Sequence, residues 1–355
     1  LKLIGEIGAD AFRFTLAALA SPGMDISLSE GRLRGYRQFV NKIWNASRFV
    51  LMNLPSSMQV RPNVPPVEDL DLIHRWILHR TSQLSGEINT ALEEFRFDVA
   101  ADMLYHFFWH EYADWYIEFV KPQLQGEGVE RENAVAVLLE VHDRILRMLH
   151  PFMPFVTEEV WQTLPQRPGD GRVANGDGRT ITLAKFPKVE VMWQDEQAVS
   201  AMALLQEVIT TIRTVRSEWG VPPTREVEAL INGAESLTQD LLESHASHVQ
   251  RLAGLQSLKF ADRIEQSPDT VRRVVRNFEI HIPLAGVIDR SKEAERIRKS
   301  LAKLTQQRGA LKKRLANRAF LERADPIVVS EAKSQELDIA QRQEKLEQIL
   351  QELGG

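Results

Sequence analysis

The sequence predicts a mainly α fold: a helical bundle, a small α/β subdomain and an antiparallel coiled-coil hairpin. Apolar residues recur at three- and four-residue steps through long windows of residues 29–195. Short β-like runs replace them between 196 and 289, and heptad spacing with charge separated by arm fills 290–355. Residues 1–28 form a connector ahead of the bundle. With 355 residues, 43% hydrophobic and 26% charged, the chain is long enough for two or three domains. Its net charge of −5 argues weakly against nucleic acid, but basic residues concentrated on single elements outweigh a whole-chain sum. The absence of cysteine excludes disulfides and thiolate metal sites and fits a reducing, cytoplasmic setting. No apolar run approaches the roughly 18 residues that span a bilayer, so no membrane partner is expected. The chain opens at Leu1 with no signal peptide and reads as a piece of a longer protein, expected to be monomeric.

Within 1–28, short apolar runs alternate with turn signals such as Ser21-Pro22-Gly23. The first bundle helix is expected from about 30 to 54, stopped by Leu54-Pro55. At about 100° per residue, Leu33, Tyr36, Phe39, Val40, Ile43, Val50, Leu51 and Leu54 share one face, a buried stripe. Arg34, Gln38, Asn41, Lys42, Asn45 and Arg48 gather opposite, and Phe49 sits among them. A flat ring beside amides and guanidinium groups suits stacking and hydrogen bonding of unpaired bases. A second, smaller core contact is the plainer reading of the same ring.

A connector with Pro62, Pro65 and Pro66 leads to a second helix near 69–94, where Ile73, Trp76, Ile77, Leu84, Ile88 and Leu92 lie near helical spacing. The third, about 98–120, is crowded with aromatics from Tyr105 to Phe119, and Lys121-Pro122 is expected to end it. A fourth covers about 130–150; after His150-Pro151 a short fifth is expected to be capped by Thr157, with Glu158 and Glu159 in its first turn. The glycine-rich stretch 166–180 reads as a loop or hairpin tip. A helix near 197–219 ends at Gly220-Val221-Pro222-Pro223, and β-like runs follow at Val227–Ile231, Leu258–Ala261 and Phe278–Leu284.

In the hairpin, Ile297, Leu301, Leu304, Leu311 and Leu315 keep the heptad, with Arg308 interrupting; Ile339, Leu346, Ile349 and Leu353 continue it beyond a break at Arg323–Pro326. The first arm is basic and the second acidic, so opposite charges knit the arms. That leaves Lys312-Lys313-Arg314 near the tip unexplained, and a cationic patch there suits a phosphate backbone. Catalysis has no visible seat. His106 and His110 lie four apart, a metal-ligand spacing, but no third ligand stands nearby and no metal is expected. The neighbours in Glu93-Glu94 and Glu158-Glu159 diverge, and no phosphate loop, nucleophile elbow or metalloprotease helix occurs.

The run Gly8-Ala9-Asp10-Ala11-Phe12-Arg13-Phe14-Thr15-Leu16, followed by Leu19-Ala20-Ser21-Pro22-Gly23-Met24-Asp25-Ile26, resembles class I aminoacyl-tRNA synthetases of the valine type. Asn41-Lys42-Ile43-Trp44-Asn45-Ala46-Ser47-Arg48-Phe49 strengthens the match. Asp114-Trp115-Tyr116, the segment from His150 to Glu159, and Gly220-Val221-Pro222-Pro223 follow in the same order, and the terminal hairpin is similar to that family's coiled coil. The resemblance implies an anticodon-binding bundle, a hairpin leaning on the tRNA elbow, and residues 1–28 as the connector below a catalytic domain. It implies Phe49 as the stacking ring, Asn45 as a base-reading amide, and Arg32, Arg34 and Arg48 as phosphate or base partners. For the elbow it points to Arg308, Lys312 and Lys313. The implied partner is tRNA(Val); ATP is used by such full-length enzymes, whose HIGH and KMSKS sequences do not occur here, as nothing of an editing domain does. Isoleucine- and leucine-type enzymes share a similar bundle, but the isoleucine type commonly ends in a cysteine-rich zinc module. A helical scaffold that binds protein through its coiled coil is the alternative from another class.

Overall fold

In the computed structural model the chain forms two compact units, Leu1–Ala203 and Leu204–Gly355. The described residues are 2–21, 30–167, 171, 178–261, 263–264, 267, 269–287, 290–317 and 326–354. Pro22-Gly23, most of the glycine-rich stretch, residues 323–325 of the hairpin break and the side chain of Leu353 lie outside them.

The first unit contains α1 (Lys2–Ile7), α2 (Ala9–Leu19), α3 (Glu30–Asn53), α4 (Leu72–Glu93) and α5 (Phe97–His106). A π-helical stretch, Phe107–Tyr116, runs on into α6 (Ile117–Gln125); α7 (Gly128–Leu149) and α8 (Pro154–Thr163) follow. Residues 2–19 are thus two helices, and α2 enters the bundle through Phe14, wholly buried with its ring centroid 5.0 Å from Tyr36 and 5.3 Å from Phe39. Phe39 in turn meets Tyr105 at 4.9 Å and Phe108 at 5.6 Å, so the inner face of α3 is seated on an aromatic core.

Two helix-end expectations are corrected. Pro122 does not stop its helix: α6 continues to Gln125. Proline lacks an amide donor but keeps its carbonyl, and Gly126 N closes the last turn onto Pro122 O at 3.1 Å while buried Leu124 anchors it. Thr157 does not cap α8 either. It lies inside the helix and donates its hydroxyl back to Met153 O at 2.7 Å. The free amides of the first turn are taken instead by Asp10 of α2, whose carboxylate accepts from Phe155 N (3.1 Å) and Val156 N (2.6 Å). A carboxylate supplied by another helix does what a local Ser or Thr usually does.

Rings stack four residues apart within the widened π-helical stretch, as in Tyr112–Tyr116, and from it into α6, as in Trp115–Phe119. The stretch also feeds a buried polar chain. Ser47 of α3 spends its proton on Ile43 O (2.8 Å), so its oxygen accepts from His142 Nε2 (3.0 Å), and His142 Nδ1 accepts from the Tyr112 hydroxyl (3.0 Å). Burial holds the Tyr112 hydroxyl well above its ordinary pKa and lowers that of His142 to about 3, so both are neutral in this chain. One side of α7 is an ionic cluster: Arg61 and Arg147 on Asp143 (2.6 and 2.9 Å), and Arg144 and Arg167 on Glu140 (2.8 and 2.9 Å). Arg144 and Arg147 also bind the carbonyls of Lys188 and Lys185, holding that segment to the helix.

Helix α9 (Glu196–Glu218) leads into the second unit. It is the one described helix long and apolar enough to cross a membrane. Its buried residues Leu205, Val208, Ile209, Ile212 and Val215 recur at the spacing of an amphipathic core helix, which passes the same test. Among the described residues four strands follow where three were expected: β1 (Val227–Asn232), β2 (Leu255–Phe260), β3 (Thr270–Val275) and β4 (Phe278–Pro283), in sheet order β2-β1-β4-β3. Parallel pairing of β1 with β2 requires a crossover, made by α10 (Ser236–Ser244) and α11 (Ala246–Ala253); the other pairs are antiparallel. The additional strand is β3, where Arg272-Arg273 interrupts the apolar alternation.

The hairpin consists of α12 (Arg290–Ala316) and α13 (Pro326–Gly354). Ile297, Ala332 and Ile349 are buried between the arms. Midway lies a polar layer: Gln343 Nε2 donates to Thr305 Oγ1 (2.8 Å), and Arg308 donates to Gln343 Oε1 (3.1 Å) and Glu336 Oε1 (2.6 Å). The pairing of 305 with 343 and 312 with 336 makes the arms antiparallel. At the base, Glu218 of α9 meets Arg273 (3.0 Å) and Lys345, fixing α13 to the sheet.

Candidate nucleic-acid interface

Helix α3 presents the first surface. Its buried side is Leu33, Phe39, Ile43, Ala46, Ser47 and Val50. About 180° away, Arg34, Asn45 and Arg48 are exposed on one outward arc. Phe49 lies at the edge of that arc, half-buried, with the Lys121 ammonium of α6 5.9 Å from its ring centroid. Arg32 does not join them. It is exposed on the side that carries Tyr36, close enough for its charge to act on the Tyr36 hydroxyl. Lys42 turns away as well, paired with Asp114 at 2.5 Å and lying 4.2 Å over the Trp109 ring. The polar chain through Ser47, His142 and Tyr112 fixes α3 from behind, so this arc sits on a rigid support.

The hairpin presents the second. Arg308 is turned inward to the polar layer, and its hydrogen bond holds the Glu336 carboxyl below the usual carboxylate range. Lys312 is exposed, with Glu336 at 3.8 Å, and Lys313 and Arg314 are exposed beside it in the last turn of α12. Of the three residues proposed for the elbow, Lys312 and Lys313 therefore face solvent while Arg308 joins the arms. His106 and His110 stack on each other at 5.6 Å, each beside a carboxylate, Asp102 at 3.4 Å and Asp114 at 3.6 Å.

The family model for the anticodon-binding domain of tRNA ligase matches residues 74–231, and that for the valyl tRNA synthetase tRNA binding arm matches residues 289–354. The chain is 39% identical over 359 residues to the valine–tRNA ligase of Syntrophotalea carbinolica, covering 100% of this chain and 39% of that protein. It is 40% identical over 350 residues to that of Geobacter sulfurreducens (98% and 38% covered). With that of Thermotoga maritima the identity is 39% over 354 residues (99% and 38% covered). Along nearly its whole length the chain is similar to valine–tRNA ligases. It spans about two fifths of the length of the curated relatives it matches. Among solved structures, a ternary complex of Agrobacterium radiobacter K84 agnB2 LeuRS with tRNA and LeuAMS shows 15% identity and a TM-score of 0.37. That match covers 78% of this chain and 28% of that one.

An isoleucine- or leucine-type identity, or a protein-binding scaffold, is not favoured, because the valyl arm occupies the hairpin and every curated relative named above is a valine–tRNA ligase. On α3 the sequence reading passed over Trp44, Arg37 and Met52, all exposed on the outward side with Asn45 and Arg48. The helical wheel carries the signal: Trp44 lies about 100° from the centre of the buried side, outside the apolar stripe.

Proposed function

We propose that this chain is the tRNA-recognising part of a valine–tRNA ligase that uses ATP to join valine to tRNA(Val), with the chemistry seated outside these residues. The observation that carries this is the presence in one chain of both recognition modules, the anticodon-binding domain and the valyl arm. The outward arc of α3, with Asn45, Arg34 and Arg48, receives the anticodon, and Phe49 stacks one base. Arg32, at the start of the helix, meets the flanking backbone. Lys312 and Lys313 take phosphates of the elbow, while Arg308 acts by holding the arms in register. Binding energy collected by these two modules orients the acceptor end for a reaction elsewhere.

A gel-shift comparison of tRNA(Val) with a non-cognate tRNA tests this. The parent chain binds tRNA(Val) more tightly, and Phe49→Ala weakens that complex by about 1–3 kcal/mol and narrows the difference between the two RNAs. Equal binding of both RNAs by the parent, or an unchanged complex with Phe49→Ala, refutes the anticodon assignment.

A further inference from the structure

The outward arc of α3 holds a second ring. Trp44 is 49% exposed, although a side chain of that size is ordinarily drawn into a core. Its surroundings on the helix are polar and cationic: Arg48 follows one turn later, Arg37 and Asn41 precede it, and Asn45 is adjacent, all exposed. Residues 31–53 hold no Asp or Glu, and three of their cations (Arg34, Arg37 and Arg48) lie on this outward side, within a chain of net charge −5. A flat apolar ring on an acid-free cationic helix face is complementary to an unstacked nucleotide, which offers a π-face and a phosphate together. An apolar protein partner would leave those guanidinium groups desolvated and unpaired.

Trp44 and Phe49 do not serve one base. Five residues separate them, which is about 140° around the helix and about 7.5 Å along it. The Phe49 ring lies toward α6, under Lys121, whereas Trp44 lies toward the opposite edge of the arc. We propose that Trp44 is a second base-stacking residue, holding an anticodon-loop nucleotide different from the one on Phe49, with Arg48 and Arg37 neutralising the adjoining phosphates. The loop then straddles α3, one base on each flank. This rests on the anticodon reading of α3 given above.

The test uses this chain and transcribed tRNA(Val), intact or carrying one abasic nucleotide at each anticodon-loop position in turn. Trp44→Ala is expected to weaken binding to intact tRNA(Val) by about 5- to 150-fold, the range of one stacked base, and Trp44→Phe to recover most of it. The slope of affinity against salt stays unchanged, because no phosphate contact is removed. One abasic position abolishes the Trp44→Ala penalty, and a different one abolishes that of Phe49→Ala. If Trp44→Ala binds like the parent while Phe49→Ala is weakened, the Trp44 proposal fails and the anticodon reading stands. If neither substitution matters, both fail. A Trp44→Ala loss that persists at every abasic position also overturns the proposal, because Trp44 then acts without a base.

Discussion

His142 gives the fold a pH dependence that can be worked out in advance. The ring is completely buried between Ser47 and Tyr112, and desolvation of its cation lowers its pKa from 6.5 to about 3. In the unfolded chain it titrates normally, so between these two values the unfolded state takes up a proton that the native state refuses. Native stability is therefore fully present above about pH 6.5 and falls as pH drops toward 3. For a folded pKa of about 3, the loss between pH 7 and pH 5 is about 2 kcal/mol, rising to about 4 kcal/mol at pH 3. Urea unfolding of the first unit at pH 7 and pH 5, for the parent and His142→Asn, isolates this contribution from other histidines. The variant is less stable at pH 7 by about 1–3 kcal/mol, because Ser47 and Tyr112 lose a buried partner. It also loses about 2 kcal/mol less than the parent on acidification. Equal pH sensitivity in the two proteins would show that His142 titrates normally, and the buried neutral chain behind α3 would be wrong.

Three further outcomes follow from the same contacts. Asp10→Ala strips the N-terminus of α8 of both cap bonds and costs about 1–2 kcal/mol by denaturant melting, with Asp10→Asn intermediate; an unchanged midpoint would remove Asp10 from that role. Phe95, at φ 58° just beyond α4 with a largely exposed ring, occupies a place where glycine is at ease, so Phe95→Gly raises stability by about 0.5–1 kcal/mol. A loss of stability there would mean that the edge contact with Phe97 outweighs the backbone strain. Replacing Lys312 and Lys313 by Gln makes the log–log salt dependence of tRNA(Val) binding shallower by up to about 2, and an identical slope leaves the hairpin without phosphate contacts at its tip.

Much of the fold is legible in periodicity alone. The apolar stripe places the first bundle helix at about 30–54, and α3 runs from Glu30 to Asn53 because stripe and stop signal agree. Features that depend on distant partners are hidden. Thr157 has the local look of a cap, but the cap comes from Asp10, some 145 residues earlier. Pro122 looks like a stop, yet its carbonyl supports a further turn. In β3 the arginine pair masks an alternation that only its register with β4 reveals. The site divides in the same way. Asn45, Arg48 and Arg34 share an arc that spacing alone assigns, whereas the inward turn of Arg308 depends on Glu336 and Gln343 of the other arm. Trp44 is a different case, since its place on the wheel was readable and only its exposure was not.

The polar layer between α12 and α13 makes the hairpin a ruler of fixed length. Thr305 and Arg308 find Gln343 only when the arms are aligned as observed, and sliding one arm by a turn would break these hydrogen bonds. The distance from the buried base at Ile297 to the lysines at 312–313 is therefore constant, about 22 Å of helix. Evolution can lengthen or shorten such an arm only by adding or removing matched turns from both strands of the hairpin at once, about seven residues in each. An unmatched insertion would change the reach of Lys312 and Lys313 without altering either side chain.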